Sequence, residues 1–434
     1  MTNSSMQERG QLARRAGITL SATSTADRNQ ALATIADALD AGRAEILSAN
    51  RRDYERSVSE NLAPPLLKRL TFDDHKVDDV ISGIRSLIEL PDPVGHTQMA
   101  KELDNGLDLY RVSCPIGVIG IIFESRPDAF VQISSLCLKS GNAVLLKGGR
   151  EALETNRALN QIIHDASVAS GMPEGWIQNL ESRDEVTEML ALDDSIDLII
   201  PRGSNAFVKY IMDHSNIPVM GHADGICHVY VDEAADLPMA VDIAVDAKSQ
   251  YVAVCNAAET LLVHRAIAPK FLPALKEKMD AAGVHLLGDA EVQAIIGVDA
   301  ATEADWSTEY LDYILSIKLV SDLDEAINHI NHYGSGHTDV IITTDEAAQK
   351  RFTTLVDSAC VFVNCSSRFS DGFRFGFGAE VGISTAKLHA RGPVGLEGLL
   401  SYKYKLIGHG QIVADYAEGR ASFTHQLMDA TCPL

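Results

Sequence analysis

The chain has 434 residues, 46% hydrophobic and 22% charged, a globular composition that excludes disorder and is long enough for two or three domains with their own cores. A formal net charge of −23 argues against general nucleic-acid binding, which needs clustered Lys and Arg on phosphates, so an anionic ligand must be met by local donors. The start, residues 1–9, is polar and lacks a signal-peptide core, and no stretch reaches about 18 uncharged apolar residues, so a cytoplasmic chain with no membrane contact is expected.

Residues 7–90 read as helices, with Ala33, Ile35, Ala36, Leu39 and Ile46 at helical spacing and Asp27 placed to cap the helix that carries Leu32. Pro91 and Pro93 end that pattern. Residues 99–114 then alternate as a hairpin with Asn105-Gly106 at its turn. Apolar runs follow at 118–123, 143–146, 176–179 and 197–201, separated by helical patterns at 129–140, 151–171 and 184–190. Strand and helix alternate again with strands at 229–231, 260–263, 317–319, 340–343 and 360–363, so two α/β domains built on parallel sheets are expected. A late alternating stretch, 401–407, offers a partner for the hairpin in a small sheet able to pair between subunits.

Two segments look like cofactor sites. Gly141-Asn-Ala-Val-Leu-Leu-Lys147-Gly-Gly149 sets a lysine at the end of a buried strand, where parallel sheets bind ligands; a ribose contact, a 2′-phosphate contact that would favour NADPH, and a solvated strand-end lysine are all open readings. In Asp197-Leu-Ile-Ile-Pro-Arg-Gly203-Ser204, Gly203 permits a tight turn and Ser204 can cap the helix behind it, leaving backbone N–H groups for an anion. The full G-x-G-x-x-G pattern is absent, so an ordinary β-turn-α connection stands beside the phosphate reading.

The seven cysteines are widely spaced with no C-x-x-C pair, which indicates free thiols. Gln250-Tyr-Val-Ala-Val-Cys255-Asn256 places Cys255 just before a buried strand, either as an apolar packer or as a nucleophile whose thiolate is favoured by its surroundings. His329, His332 and His337 cluster around Gly334-Ser-Gly336, but no carboxylate or cysteine completes a ligand set there, so a helix running into a polar, substrate-facing loop is preferred and no metal is expected.

Pro115-Ile-Gly-Val-Ile-Gly-Ile-Ile-Phe-Glu-Ser-Arg-Pro127, the 141–149 segment, Cys255 in its setting, residues 329–341, Phe375-Gly-Phe-Gly-Ala-Glu-Val-Gly-Ile-Ser-Thr385 and Leu388-His-Ala-Arg-Gly-Pro393 together resemble the gamma-glutamyl phosphate reductase family, a divergent branch of the aldehyde dehydrogenase superfamily. The resemblance runs in order from about residue 7 to the last strand. It implies an aldehyde dehydrogenase-like α/β fold of two Rossmann-like domains and a β flap. The expected division is an NADPH-binding domain over 1–98 and 115–228 with part of 375–400, a catalytic domain over 229–374, and an oligomerisation flap over 99–114 and 401–420.

The implied activity is NADPH-dependent reduction of L-glutamyl 5-phosphate to L-glutamate 5-semialdehyde with release of phosphate, through a Cys255 thioester, in a homo-oligomer functionally coupled to glutamate 5-kinase. By matching position, Lys147 meets the adenosine ribose, Gly203 and Ser204 form the pyrophosphate turn, and Glu309 holds the nicotinamide ribose. Where the superfamily has an oxyanion asparagine this chain has Ser125, which joins the Cys255 N–H as a candidate donor. The stretch Pro218-Val-Met-Gly-His-Ala-Asp-Gly225 holds no glutamate at the place of the base that hydrolyses the thioester in oxidising relatives, although Asp224 is a potential substitute. That departure suits a thioester that is to be reduced. His222, His337, Asn364, Arg368 and Arg391 are the expected binders of the substrate's phosphate and carboxylate. An acylating enzyme that uses coenzyme A is the competing reading, and a non-catalytic scaffold on the same fold is disfavoured by the intact cysteine and cofactor segments.

Overall fold

The structure is a computed structural model that describes residues 5–222 and 224–434. The chain divides into two units: Met1–Met220 with Phe377–Gly382 and Val394–Leu434, and Gly221–Gly376 with Ile383–Pro393.

The first unit opens with helices α1 (Met6–Leu20), α2 (Thr25–Ala41), α3 (Arg43–Ser59), α4 (Pro64–Leu70) and α5 (Asp74–Glu89). The α2 cap that the sequence assigns to Asp27 belongs to Ser24. Its hydroxyl accepts from the Asp27 N–H while the Asp27 carboxylate reaches back to the Ser24 N–H, a capping box. Strands β1 (Thr97–Asp104) and β2 (Leu107–Pro115) form the hairpin, with Gly106 in the left-handed region its turn requires. Strand Leu400–Ile407 pairs with β2, and a short strand the sequence did not signal, Gln426–Leu427, pairs with β1, completing a four-stranded antiparallel sheet.

A parallel sheet follows, ordered β5-β4-β3-β6, from β3 (Val118–Phe123), β4 (Ala143–Lys147), β5 (Ile177–Leu180) and β6 (Leu198–Arg202). Helices α6 (Pro127–Lys139), α7 (Leu153–Ala169), α8 (Arg183–Met189) and α9 (Asn205–His214) connect and follow these strands. β3 and β4 are buried at every position, which is why they read as unbroken apolar runs. Just before β3, Gly117 adopts a φ of +134°, and a Cβ there would stand 2.1 Å from the Asp197 carboxylate that accepts from the Val118 N–H.

The second unit is built on a seven-stranded parallel sheet ordered β10-β9-β11-β8-β7-β12-β13. In chain order its elements are β7 (Cys227–Val231), α10 (Leu237–Ser249), β8 (Ala258–His264), α11 (Ala268–Ala281), β9 (His285–Gly288), α12 (Ala290–Ile296), β10 (Asp299–Ala300), β11 (Ile314–Val320), α13 (Leu323–Tyr333), β12 (Thr338–Ile342), α14 (Glu346–Leu355) and β13 (Cys360–Val363). Val229, Leu261, Phe271, Leu275, Ile317 and Val340 lie at the centre of its core. β9 and β10 escape the sequence reading because they are only four and two residues long, too short to show a period. Among the described residues, no helix is long and apolar enough to cross a membrane.

His329 of α13 is buried against the rings of Trp306, Tyr333 and His228. Burial, with smaller contributions from His228, Lys318 and His332, holds its pKa down at about 3. In the unfolded chain an imidazole titrates near about 6.5. Between these values the unfolded state binds the extra proton, so the stability linked to neutral His329 is complete above about pH 6.5 and is lost as pH falls toward 3. His329→Phe is expected to flatten the acid limb of the unfolding free energy by roughly 1.4 kcal/mol per pH unit below about pH 6, measured by urea titration at several pH values. An unchanged slope would place the acid sensitivity elsewhere.

Candidate active site

Three neighbouring parallel strands, β8, β7 and β12, begin beside one another, and their preceding residues form one cluster. Cys255 lies in the turn that leads into β8, His222 and Gly225 precede β7, and His337 immediately precedes β12. Cys255 Sγ is 3.2 Å from His337 Nε2. His222 packs edge-on against His337 with ring centroids 5.1 Å apart. The catalytic candidates thus gather at the amino ends of these strands. Sequence reading places Cys255 and His337 before strands, but only the strand order makes those strands neighbours.

The loop that carries Cys255 is held at both ends and from both sides. At its base Lys248 Nζ donates to Glu259 Oε2 at 2.5 Å, both side chains fully buried, joining the end of α10 to the start of β8. Burial pushes the lysine down and pulls the Glu259 carboxyl up to about 7, opposed by their mutual attraction. On one side the Asn256 amide donates to the Ser370 carbonyl and Ser367 Oγ donates to the Asn256 carbonyl. On the other lies Gly225, where a Cβ would stand 2.3 Å from the Cys255 carbonyl oxygen and 2.4 Å from its Cα.

Proton positions around His337 follow from its partners. Nδ1 is 2.8 Å from Thr338 Oγ1, and that hydroxyl is also hydrogen-bonded to the Cys360 thiol. The tautomer in which Nδ1–H donates to Thr338 leaves Nε2 with its lone pair toward Cys255. Burial and then His222 lower the His337 pKa to about 3, so its imidazole is neutral. Burial also pushes the Cys227 and Cys360 thiols up, which keeps them protonated, whereas Cys255 is half-buried and faces the histidine. Cys227 is engaged as a donor to the Cys255 carbonyl at 3.2 Å. Cys227, Thr338, Asn256 and Gly225 had no separate sequence signal beyond lying at strand ends.

Arg368 is buried in a short 3-10 turn, Ser367–Phe369, and its Nε donates to Gln250 at the start of the Cys255 loop. Burial, then Arg374, lowers its pKa, with the charges of Asp371 and Cys255 acting the other way. Asn364, with φ of 55°, uses its amide fully on Thr343, accepting from the Thr343 N–H and donating to its carbonyl, both at 2.9 Å. Arg391 pairs with Asp357 at 3.3 Å. Glu309 is half-buried before β11, near enough to raise Glu259. Asp224 is exposed, and Ala223 of the same stretch lies outside the described residues.

In the first unit, Ser125 has φ of 43°, and both its N–H and its Oγ donate to Glu151 Oε1 at 2.6 Å. Lys147 ends β4, at the carboxyl edge of the sheet, its ammonium donating to the Gly148 carbonyl; burial pushes its pKa down. Ser204 stands at the N-cap of α9 but, contrary to expectation, makes no side-chain cap bond among the described residues. A buried ammonium at a central strand end and a helix start without a side-chain cap are donors that fit a phosphate-bearing nucleotide.

The chain belongs to the aldehyde dehydrogenase family, whose pattern matches residues 1–304, and it is an oxidoreductase of that family, which works with a nicotinamide cofactor. More particularly, it is 64% identical to gamma-glutamyl phosphate reductase of Ruminiclostridium cellulolyticum over 95% of this chain and 96% of that protein. It is likewise 64% identical to gamma-glutamyl phosphate reductase of Acetivibrio thermocellus over 96% of this chain and 97% of that protein. The crystal structure of gamma-glutamyl phosphate reductase from Thermotoga maritima superposes with a TM-score of 0.92 at 42% identity, covering 94% of this chain and 100% of that one. None of the seven cysteines is in a disulfide.

Because a side chain at position 225 would overlap the Cys255 backbone, Gly225→Ala must displace the nucleophile. A shift of about 1 Å at a reacting centre costs on the order of 10²-fold in rate. Steady-state turnover of Gly225→Ala is therefore expected to fall by about that factor, with nicotinamide binding measured by fluorescence close to parental. Parental turnover would mean that the loop yields without moving the sulfur.

Proposed function

We propose that this chain reduces L-glutamyl 5-phosphate to L-glutamate 5-semialdehyde with NADPH and releases phosphate, the second step of proline biosynthesis from glutamate. The observation that carries the proposal is the 3.2 Å contact between Cys255 Sγ and an Nε2 that holds its lone pair. As Sγ attacks the 5-carbonyl carbon, the thiol proton passes to His337 Nε2, the C–O bond to phosphate breaks, and a thioester remains on Cys255. NADPH, held by the residues assigned to it below, would supply the hydride, and the resulting thiohemiacetal alkoxide would remain on Cys255. His337 returns the proton as the C–S bond breaks, and the aldehyde leaves with the thiol restored.

Arg368 is assigned to the departing phosphate, and the Cys255 N–H to the developing oxyanion. Ser125 joins as a second donor once its hydroxyl leaves Glu151. His222 is assigned to the substrate's anionic groups. Asn364 and Arg391, in their present contacts, support the segments around the site. Lys147 and the turn at Gly203-Ser204 are assigned to the adenosine ribose phosphate and pyrophosphate of NADPH, and Glu309 to the nicotinamide ribose.

The antiparallel sheet of the first unit is the proposed homo-oligomer surface, since Tyr402, Tyr404 and Leu406 of its edge strand are exposed. Coupling to glutamate 5-kinase would shorten the life of a labile acyl phosphate in water. In the reverse direction, NADP+ reduction by glutamate 5-semialdehyde is expected to require inorganic phosphate, to ignore coenzyme A, and to vanish in Cys255→Ala while NADPH still binds. Activity with coenzyme A in place of phosphate, or parental turnover without the thiol, would overturn the proposal.

The 2′-phosphate role of Lys147 has its own measurement. Lys147→Ala is expected to raise KM for NADPH at least about 10-fold more than KM for NADH, through loss of a charge-assisted contact of about 1.5–3 kcal/mol. Equal effects on the two would assign the lysine to the shared ribose.

A further inference from the structure

His222, Cys255 and His337 each present one donor atom, and the three atoms lie within 4.8 Å of one another. We infer that they form a binding site for a thiophilic divalent cation of the Zn2+ type, whose occupancy reversibly removes the nucleophile. A Zn2+ with bonds of about 2.3 Å to sulfur and about 2.0–2.1 Å to nitrogen spaces tetrahedral neighbours roughly 3.4–3.6 Å apart. The Sγ–Nε2 distance to His337 is 3.2 Å and all three donor atoms lie within 4.8 Å of one another, so closing the trio around an ion takes a small movement.

The outer nitrogens are what distinguish this trio from a chance cluster. His222 Nδ1 is 3.1 Å from the Ile383 carbonyl oxygen, an acceptor only, so it carries the proton and leaves Nε2 with its lone pair. His337 Nδ1 is 2.8 Å from Thr338 Oγ1, a hydroxyl able to accept from Nδ1–H. Ligating histidines in metal sites show this pattern, the far nitrogen fixed by a carbonyl or hydroxyl and the near one presented to the ion. Imidazole with thiolate selects Zn2+ or copper over Mg2+ and Ca2+, which prefer oxygen. Binding converts Cys255 S–H to thiolate, its proton passing to solvent, and leaves a fourth position for water. The sequence reading searched for a metal only around His329, His332 and His337 and could not see this set, because its members are spread over residues 222 to 337.

The inference does not depend on which acyl substrate the enzyme uses and is tested without substrate or nicotinamide. Equilibrium dialysis of the full chain against zinc chloride is expected to load one Zn2+ per chain. Cys255→Ser and His222→Asn are each expected to weaken binding at least about 10-fold, the low end of what metal sites lose even when only an outer partner is removed. Co2+ in place of Zn2+ is expected to give a thiolate-to-cobalt charge-transfer absorption in the parent and none in Cys255→Ser, with circular dichroism confirming that both variants are folded. Substoichiometric loading, parental affinity in His222→Asn, or a cobalt spectrum without the thiolate band would each overturn the site. His222→Phe gives a second removal of the nitrogen should the asparagine variant misfold.

Discussion

The buried ion pair between Lys248 and Glu259 is the constraint on which the active-site geometry depends. Neither charge reaches water, and desolvating such ions costs several kcal/mol each, returned only if the partner stays in place. The pair therefore ties the last turn of α10 to the first residues of β8 and fixes the span of the loop between them. Cys255 sits in that loop. With the ends fixed, Asn256 anchored to Ser370 and Ser367, and Gly225 leaving no room behind, the Cys255 backbone is held where its sulfur lies 3.2 Å from His337. A well-packed apolar pair in place of the ions would give comparable stability, so their value here lies in position.

Burial then sorts the thiols. Cys227 and Cys360 lie at the amino ends of β7 and β13, close to the same histidine environment, yet full burial keeps both protonated, and their sulfurs are used as hydrogen-bonding groups toward the Cys255 carbonyl and from Thr338 and Ser370. Only Cys255 combines partial exposure with an imidazole lone pair. Because His337 is buried and neutral, the proposed mechanism couples proton transfer to carbon–sulfur bond formation.

The sequence carried the α/β alternation clearly, since β3, β4 and β7 are buried throughout and mostly apolar and their helices amphipathic. The hairpin was legible from Asn105-Gly106 and its flanking alternation. Cys255 was legible through its position before a strand and its resemblance to a family. What it could not carry was strand order. β7, β8 and β12 are neighbours only in the fold, and no local pattern in residues 222, 255 and 337 announces their meeting. Side-chain engagement was hidden for the same reason. Asn364 and Ser125 look like available donors in a sequence, yet one spends its amide on Thr343 and the other its hydroxyl on Glu151.

The net charge of −23 raises the question of how this chain holds an anionic substrate. Most of its carboxylates are exposed, and salt screens exposed charges over about 8 Å at physiological ionic strength. A cation that has already lost its water behaves differently: at about 4 Å and an effective dielectric near 20, a pair of unit charges interacts by about 4 kcal/mol. Arg368 is such a cation, buried and destabilised in its charged form by that burial and by Arg374. An incoming phosphate relieves that cost while it gains a partner, and the distant surface acids contribute little against it. In the proposed function, affinity for the anion therefore resides in the desolvated Arg368 guanidinium, and the acidic surface governs solubility without setting the chemistry.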